Sequence, residues 1–114
     1  MKPFALLIRE KRQEKGYSMD KLCRIVQEEE GLKMSKSLLN FLEKGQRVPT
    51  YEMAYGLSLA LDIDIKQALS AAYIARVERD LKGEKKSLEK LVNNIQTKGI
   101  DVDSVLASHH KVHI

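Results

Sequence analysis

Apolar residues recur along this chain at helical spacing almost from end to end. Phe4, Leu7 and Ile8 begin a first face over Phe4 to Lys15, which Gly16 can close. Ser18 caps a second helix with Asp20 in its first turn, and Leu22, Cys23, Ile25 and Val26 form its apolar side. This helix runs on through Gln27 and Glu28-Glu29-Glu30 to Gly31, with Leu32 making the hydrophobic contact beyond the stop. Ser35 caps a short third helix, with Met34 as its staple, Leu39 and Leu42 facing inward, and Gly45 at its end. Thr50 caps a fourth helix that buries Ala54, Leu57, Ala60 and Leu61, before Asp62 or Asp64 breaks and recaps the chain.

A fifth helix is expected from Ile65 to Lys82 with two apolar stripes. Ile65, Leu69, Ala72 and Tyr73 form one, and Ile74, Val77 and Leu81 form the other, a quarter-turn or more away. Gly83 separates it from a further helix in which Leu88, Leu91, Val92 and Ile95 take i, i+3, i+4, i+7 spacing up to Gly99. Asp101 caps a last short helix with Val102, Val105 and Leu106. No repeat, low-complexity tract or sustained alternation interrupts this pattern, so the expected class is all-α.

Composition narrows the class further. With 114 residues, 43% hydrophobic and 32% charged, the chain suits a globular protein with one modest core. Only 6 glycines and 2 prolines argue against a turn-rich β architecture. The net charge of +4 is uneven: residues 1–47 carry +4, residues 48–82 carry −1 and residues 83–114 carry +1. A single cysteine excludes an internal disulfide and points to a reducing cytoplasm. The apolar run near the N-terminus, FALLI, is too short for a signal peptide or a membrane span.

The basic excess lies in the segment that contains MSKSLLNFLEKGQRVP, residues 34–49. Its Ser-Lys pair lacks the orienting group and oxyanion site that nucleophilic catalysis needs. Lys44-Gly45 lacks the second glycine of a phosphate-cradling loop. On a helical wheel centred on Leu39, Leu42 and Glu43 fall within about 60° of it. The outward set is then Lys36, Ser37, Asn40, Phe41 and Lys44. Asn pairs bidentately with adenine, Lys meets guanine or phosphate, and an apolar ring meets a thymine methyl, so this face suits a major groove. The N–H groups above Ser35 suit a phosphate.

The blocks IREKRQEKGYS (8–18), LC (22–23), SKSLLNFLEKGQRVPT (35–50) and LSLALDID (57–64) resemble the Cro/phage-repressor (XRE) helix-turn-helix family over residues 4–69. The resemblance implies a five-helix repressor-like domain whose third helix enters the major groove. Carried over by position, it implies base reading by Lys36, Ser37, Asn40 and Phe41. Ser18, Met19, Ser35, Lys44, Gln46 and Arg47 would touch the DNA backbone. Arg12 and Glu43 would form a structural ion pair. The chain departs from the family pattern in about six extra residues between helices 2 and 3, in Met19 where glutamine is common, and in Phe41 where the reader is usually polar.

Residues 1–69 are thus expected to be the DNA-binding domain and 70–108 a helical C-terminal extension for dimerisation, with 109–114 a tail. Ile74, Val77, Leu81, Leu88, Leu91, Val92 and Ile95 are the dimerisation candidates. The expected partners are double-stranded DNA and a second copy of the chain, with no cofactor, no metal and no membrane. Cys23 reads as a core thiol, and His109, His110 and His113 lack a ligand cluster. The expected function is that of a dimeric repressor reading a palindromic operator with helix 36–44. Two alternatives remain at this level. One is an antitoxin or immunity component whose C-terminal helices bind a partner protein. The other is a helix-turn-helix module that binds only protein. No paired-carboxylate cleft or nucleophile elbow supports an enzyme.

Overall fold

The structure, a computed structural model, describes residues 2–98, with side chains to Asn94. Among the described residues it is all helix: α1 (Phe4–Glu14), α2 (Met19–Glu30), α3 (Lys36–Glu43), α4 (Tyr51–Leu61) and α5 (Ile65–Lys98). The expected stop at Gly99, the helix at 101–108 and the three histidines lie outside the described residues. The chain divides into two compact units, residues 1–79 and 80–114.

Local chemistry sets the helix ends. Ser18, Ser35, Thr50 and Asp64 each accept a hydrogen bond from the backbone N–H three residues on, at 3.0–3.1 Å. Each such cap satisfies one of the N–H groups that a helix start leaves without a partner. Gly31 closes α2 at φ 66°, where a side chain would meet its own backbone. Its N–H donates to the Gln27 carbonyl, and that of Leu32 donates to Val26. Asp62 ends α4 at φ 55°, the one described non-glycine residue at positive φ. Asp62 therefore breaks the helix and Asp64 recaps it.

In the first unit α1 packs on α3 and α4, and α2 on α3 and α4. Phe4, Leu7 and Ile8 of α1, Leu22 and Val26 of α2, and Leu39 and Leu42 of α3 meet Ala54, Leu57 and Leu61 of α4 in one core. The start of α5 closes that core with alanines: Ala68, Ala71 and Ala72 are buried. Tyr73, expected on this stripe, is 59% exposed. It stands about 100° round the helix from Ala72, off the contact face.

The extra residues before α3 extend α2 to Glu30 and then form an extended link, Gly31 to Ser35. Two side chains anchor this link. Met34 is buried in the core, and Leu32 lies over Gly56 of α4, its Cδ2 3.1 Å from where a β-carbon on that glycine would sit. Gly56 is the notch that admits the link.

Gly83 does not end a helix. α5 runs through it to Lys98, and Gly83 is not among the positive-φ residues. A glycine inside a helix costs about 1 kcal/mol relative to alanine, which 34 residues of otherwise helix-compatible sequence absorb. A β-carbon at Gly83 would meet nothing within 4 Å. Gly83→Ala is therefore expected to stabilise this part of α5 by about 1 kcal/mol. Circular dichroism melts test it, and a lower melting temperature would contradict a continuous helix.

At the surface, the Lys15 Nζ lies 2.6 Å from Asp62 Oδ2. That hydrogen bond is the main reason the Asp62 carboxyl is held below its ordinary range and the Lys15 ammonium raised above its own. A depressed carboxylate contributes stability that is present above its unfolded pKa and lost as pH falls through the folded one. The melting-temperature gap between the parent and Asp62→Asn should thus be widest near neutral pH and close on acidification below about pH 4. Because both groups face solvent, added salt should narrow it too.

Candidate nucleic-acid interface

α3 is held from behind by one arginine. Arg12 Nε donates to Glu43 Oε2 at 2.7 Å and its Nη2 to Oε1 at 2.9 Å. Its Nη1 donates to the Tyr17 carbonyl at 2.8 Å. A planar guanidinium is the side chain that can serve two carboxylate oxygens side by side and still reach a third acceptor. The hydrogen bond to Glu43 is the chief reason the Arg12 pKa is raised, against the opposing effect of burial. The arrangement ties the end of α1, the α1–α2 turn and the last turn of α3 together. Glu43 is 3% exposed and committed to this pair, which leaves it no role as a proton acceptor for a substrate.

With Leu39 and Leu42 buried, the face of α3 opposite Leu39 presents Ser37, Asn40 and Phe41. Ser37 is exposed, Asn40 half-buried and Phe41 46% exposed. Lys36 belongs to a different flank. It lies about 60° from Leu39, on the Glu43 side of the wheel rather than opposite it. Its ammonium is 3.7 Å from Asp20 Oδ2, a loose contact between two exposed side chains that leaves the lysine free to re-aim.

The helix starts frame this surface. The Ser18 and Ser35 hydroxyl oxygens accept as caps, so their O–H hydrogens and the backbone N–H groups of the first turns are what α2 and α3 offer to an anion. The Met19 side chain packs against the core, which leaves its own N–H as its polar group at the start of α2. After α3, Gly45 takes φ 69° and the Gln46 N–H donates to the Phe41 carbonyl at 2.9 Å. Lys44, Gln46 and Arg47 are all exposed in this turn.

The far end of the turn has a support that the sequence did not signal. Arg76 of α5 donates from Nη1 to the Pro49 carbonyl at 3.3 Å and lies 5.3 Å from the centre of the Tyr51 ring. It clamps the chain between the exposed Lys44–Arg47 turn and α4. Asp20, a first-turn acid of α2 by sequence, also lies beside Lys36 of α3, a proximity that no local pattern signals. The Cys23 thiol is half-buried and free, and desolvation pushes its pKa up, which fits a packing role. Among the described residues no group of three or more His, Cys, Asp or Glu side chains can hold a metal. No described helix is long and apolar enough to cross a membrane.

A five-helix unit with a locked third helix, a polar outer face and capped helix starts around it defines a helix-turn-helix DNA-binding domain. The chain belongs to the Cro/C1-type helix-turn-helix family (the XRE family), whose family model matches residues 8–67. This is a family of DNA-binding transcription regulators, typically without enzymatic activity. No curated protein and no solved structure matches the chain.

Proposed function

We propose that the protein is a sequence-specific transcriptional repressor that binds a palindromic operator as a dimer in the cytoplasm. Residues 1–69 would bind DNA and residues 70–108 would pair two copies. The observation that carries this reading is α3 itself: a helix fixed from behind by Arg12–Glu43, presenting Ser37, Asn40 and Phe41 outward. Ser37, Asn40 and Phe41, together with a re-aimed Lys36, read base edges in the major groove. The first turns at Ser18, Met19 and Ser35, with Lys44, Gln46 and Arg47, hold phosphates and set the register. The acid run at Glu28-Glu29-Glu30 points away from the phosphate backbone, which would repel it.

One such helix reads too few base pairs to single out a genomic site, and a two-fold pair of them reads twice as many. The apolar residues Ile74, Leu81 and Leu91 are 41%, 62% and 39% exposed, which supports a second copy as their cover. Val77, Leu88 and Val92 are half-buried beside them, and the Ile95 side chain lies outside the described residues. Selection of bound sequences from a random duplex pool tests the whole reading. A palindromic consensus with half-sites about one helical turn apart is expected. No enrichment at moderate salt would favour a module that binds only protein. A second protein co-purifying in fixed ratio would favour an antitoxin or immunity component.

A further inference from the structure

The stretch from Lys44 to Thr50 belongs to no helix, yet it holds Lys44, Gln46 and Arg47, the side chains proposed for phosphates. Its backbone is fixed at two points. At the near end the Gln46 N–H donates to the Phe41 carbonyl at 2.9 Å, so the end of α3 sets the chain up to residue 46. At the far end Pro49 is fully buried, and Arg76 Nη1 donates to its carbonyl at 3.3 Å. Among the described residues no backbone N–H donates to that carbonyl, which lies ahead of the Thr50 cap. The Arg76 guanidinium carbon is also 5.3 Å from the centre of the Tyr51 ring, within the range of a cation–π contact. Arg76 thus holds both neighbours of Thr50.

We propose that Arg76 is a positioning residue for DNA binding: by holding the Pro49 carbonyl and the Tyr51 ring, it fixes the backbone from which Arg47 reaches a phosphate. The proposal rests on the phosphate-contact reading above and adds a residue of α5 that acts through Arg47 without touching DNA itself. Only Arg47 and Val48 lie between the two anchors. A residue before proline is confined to extended backbone, which takes most of the freedom from Val48 and leaves Arg47 as the variable point.

A planar guanidinium can donate within its plane while its face rests on a ring, so one arginine makes both contacts. Ordering a long exposed side chain on a phosphate costs conformational entropy, and a backbone already fixed removes the main-chain share of that cost. Lys44 is set differently. It follows α3 directly, and its N–H donates to the Asn40 carbonyl at 3.1 Å. The two cations of the turn therefore depend on different braces, Lys44 on the Arg12–Glu43 pair behind α3 and Arg47 on Arg76.

A double-mutant cycle on DNA binding tests this. At about 0.2 M salt, Arg76→Ala should weaken binding to operator and random duplex alike by up to roughly fourfold, the counterion-release contribution of one phosphate contact. Discrimination between base pairs should be unchanged. The loss should vanish when Arg47 is already alanine and persist in full when Lys44 is alanine. A direct phosphate contact by Arg76, a bulk effect of its charge and a general loosening of the domain all predict a loss that persists beside Arg47→Ala. Persistence there overturns the proposal, and so does the absence of any loss from Arg76→Ala alone. Arg76→Met keeps the stem and removes the donors, and it carries the same cycle if the alanine variant does not fold. An Arg47→Ala chain with the parent's salt slope would instead remove the phosphate contact on which the proposal rests. A parent that binds neither duplex at about 50 mM salt would remove the DNA-binding reading, so the failures are distinguishable.

Discussion

Arg12→Ala is expected to destabilise the first unit by about 3–5 kcal/mol, the range for removing one partner of a buried ion pair. The Glu43 side chain is 2% exposed and that of Arg12 13%. Without the guanidinium the carboxylate keeps its desolvation cost and loses both of its charge-assisted hydrogen bonds, while the Tyr17 carbonyl loses its donor. For a domain whose total stability is on the order of 5–15 kcal/mol, the loss is a large fraction of the whole. Arg12→Lys should fall between the parent and alanine, since one ammonium cannot serve the same three acceptors in the same plane. The double substitution Arg12→Met with Glu43→Leu should recover much of the loss, because it removes the stranded charge along with the pair. Urea unfolding with an unchanged slope is the measurement. A loss below about 1 kcal/mol for Arg12→Ala would mean that the pair behaves as a surface contact.

The same pair shows what could be read along the chain and what could not. Helix starts at Ser18, Ser35 and Thr50 and stops at Gly31 and Gly45 are decided within four or five residues, so a linear string contains them. The core stripes of α1, α3 and α4 follow the helical period closely enough to be read the same way. Gly83 misled because a glycine is a stop only when the backbone turns to positive φ, and nothing local forces that turn here. Tyr73 departs from its expected place because three buried alanines set the contact face of α5, and the ring beside them lies off that face.

Lys36 illustrates a finer limit. Its place at the start of α3 is legible, but it stands on the Glu43 flank rather than with the outward set, and its neighbour Asp20 comes from another helix. Leu32 was legible as a contact residue. Its receiving notch at Gly56 was not, because a helical glycine in sequence does not announce what rests on it. Arg76 on the Pro49 carbonyl joins positions 27 residues apart through a helix packing that no local pattern encodes. The legible parts of the candidate interface are therefore its caps, its outward side chains and, through the family resemblance, the Arg12–Glu43 brace. The illegible parts are the Gly56 notch and the Arg76 contact, which depend on how α4 and α5 pack.

Those two layers predict two kinds of loss on DNA. Asn40→Ala should reduce discrimination at one base pair of each half-site by about 1–3 kcal/mol, leaving affinity for random duplex unchanged. The reason is chemical: Asn40 lies on the outward face of α3, and its amide carries the donor–acceptor pair that reads one base edge. Lys44→Ala and Arg47→Ala should behave in the opposite way, because exposed cations in a turn act on phosphates whatever the sequence. Each removed phosphate contact should lower the slope of log affinity against log salt by about 0.9, so the pair together should lower it by about 1.8. Between 50 and 200 mM salt that is a salt penalty smaller by about twelvefold for the double variant than for the parent. Fluorescence anisotropy on the selected operator, on operators altered at single positions and on random duplex separates the two patterns. Equal losses on operator and random DNA for Asn40→Ala would remove it as a reader, and an unchanged salt slope for the Lys44/Arg47 double variant would move the phosphate contacts away from this turn.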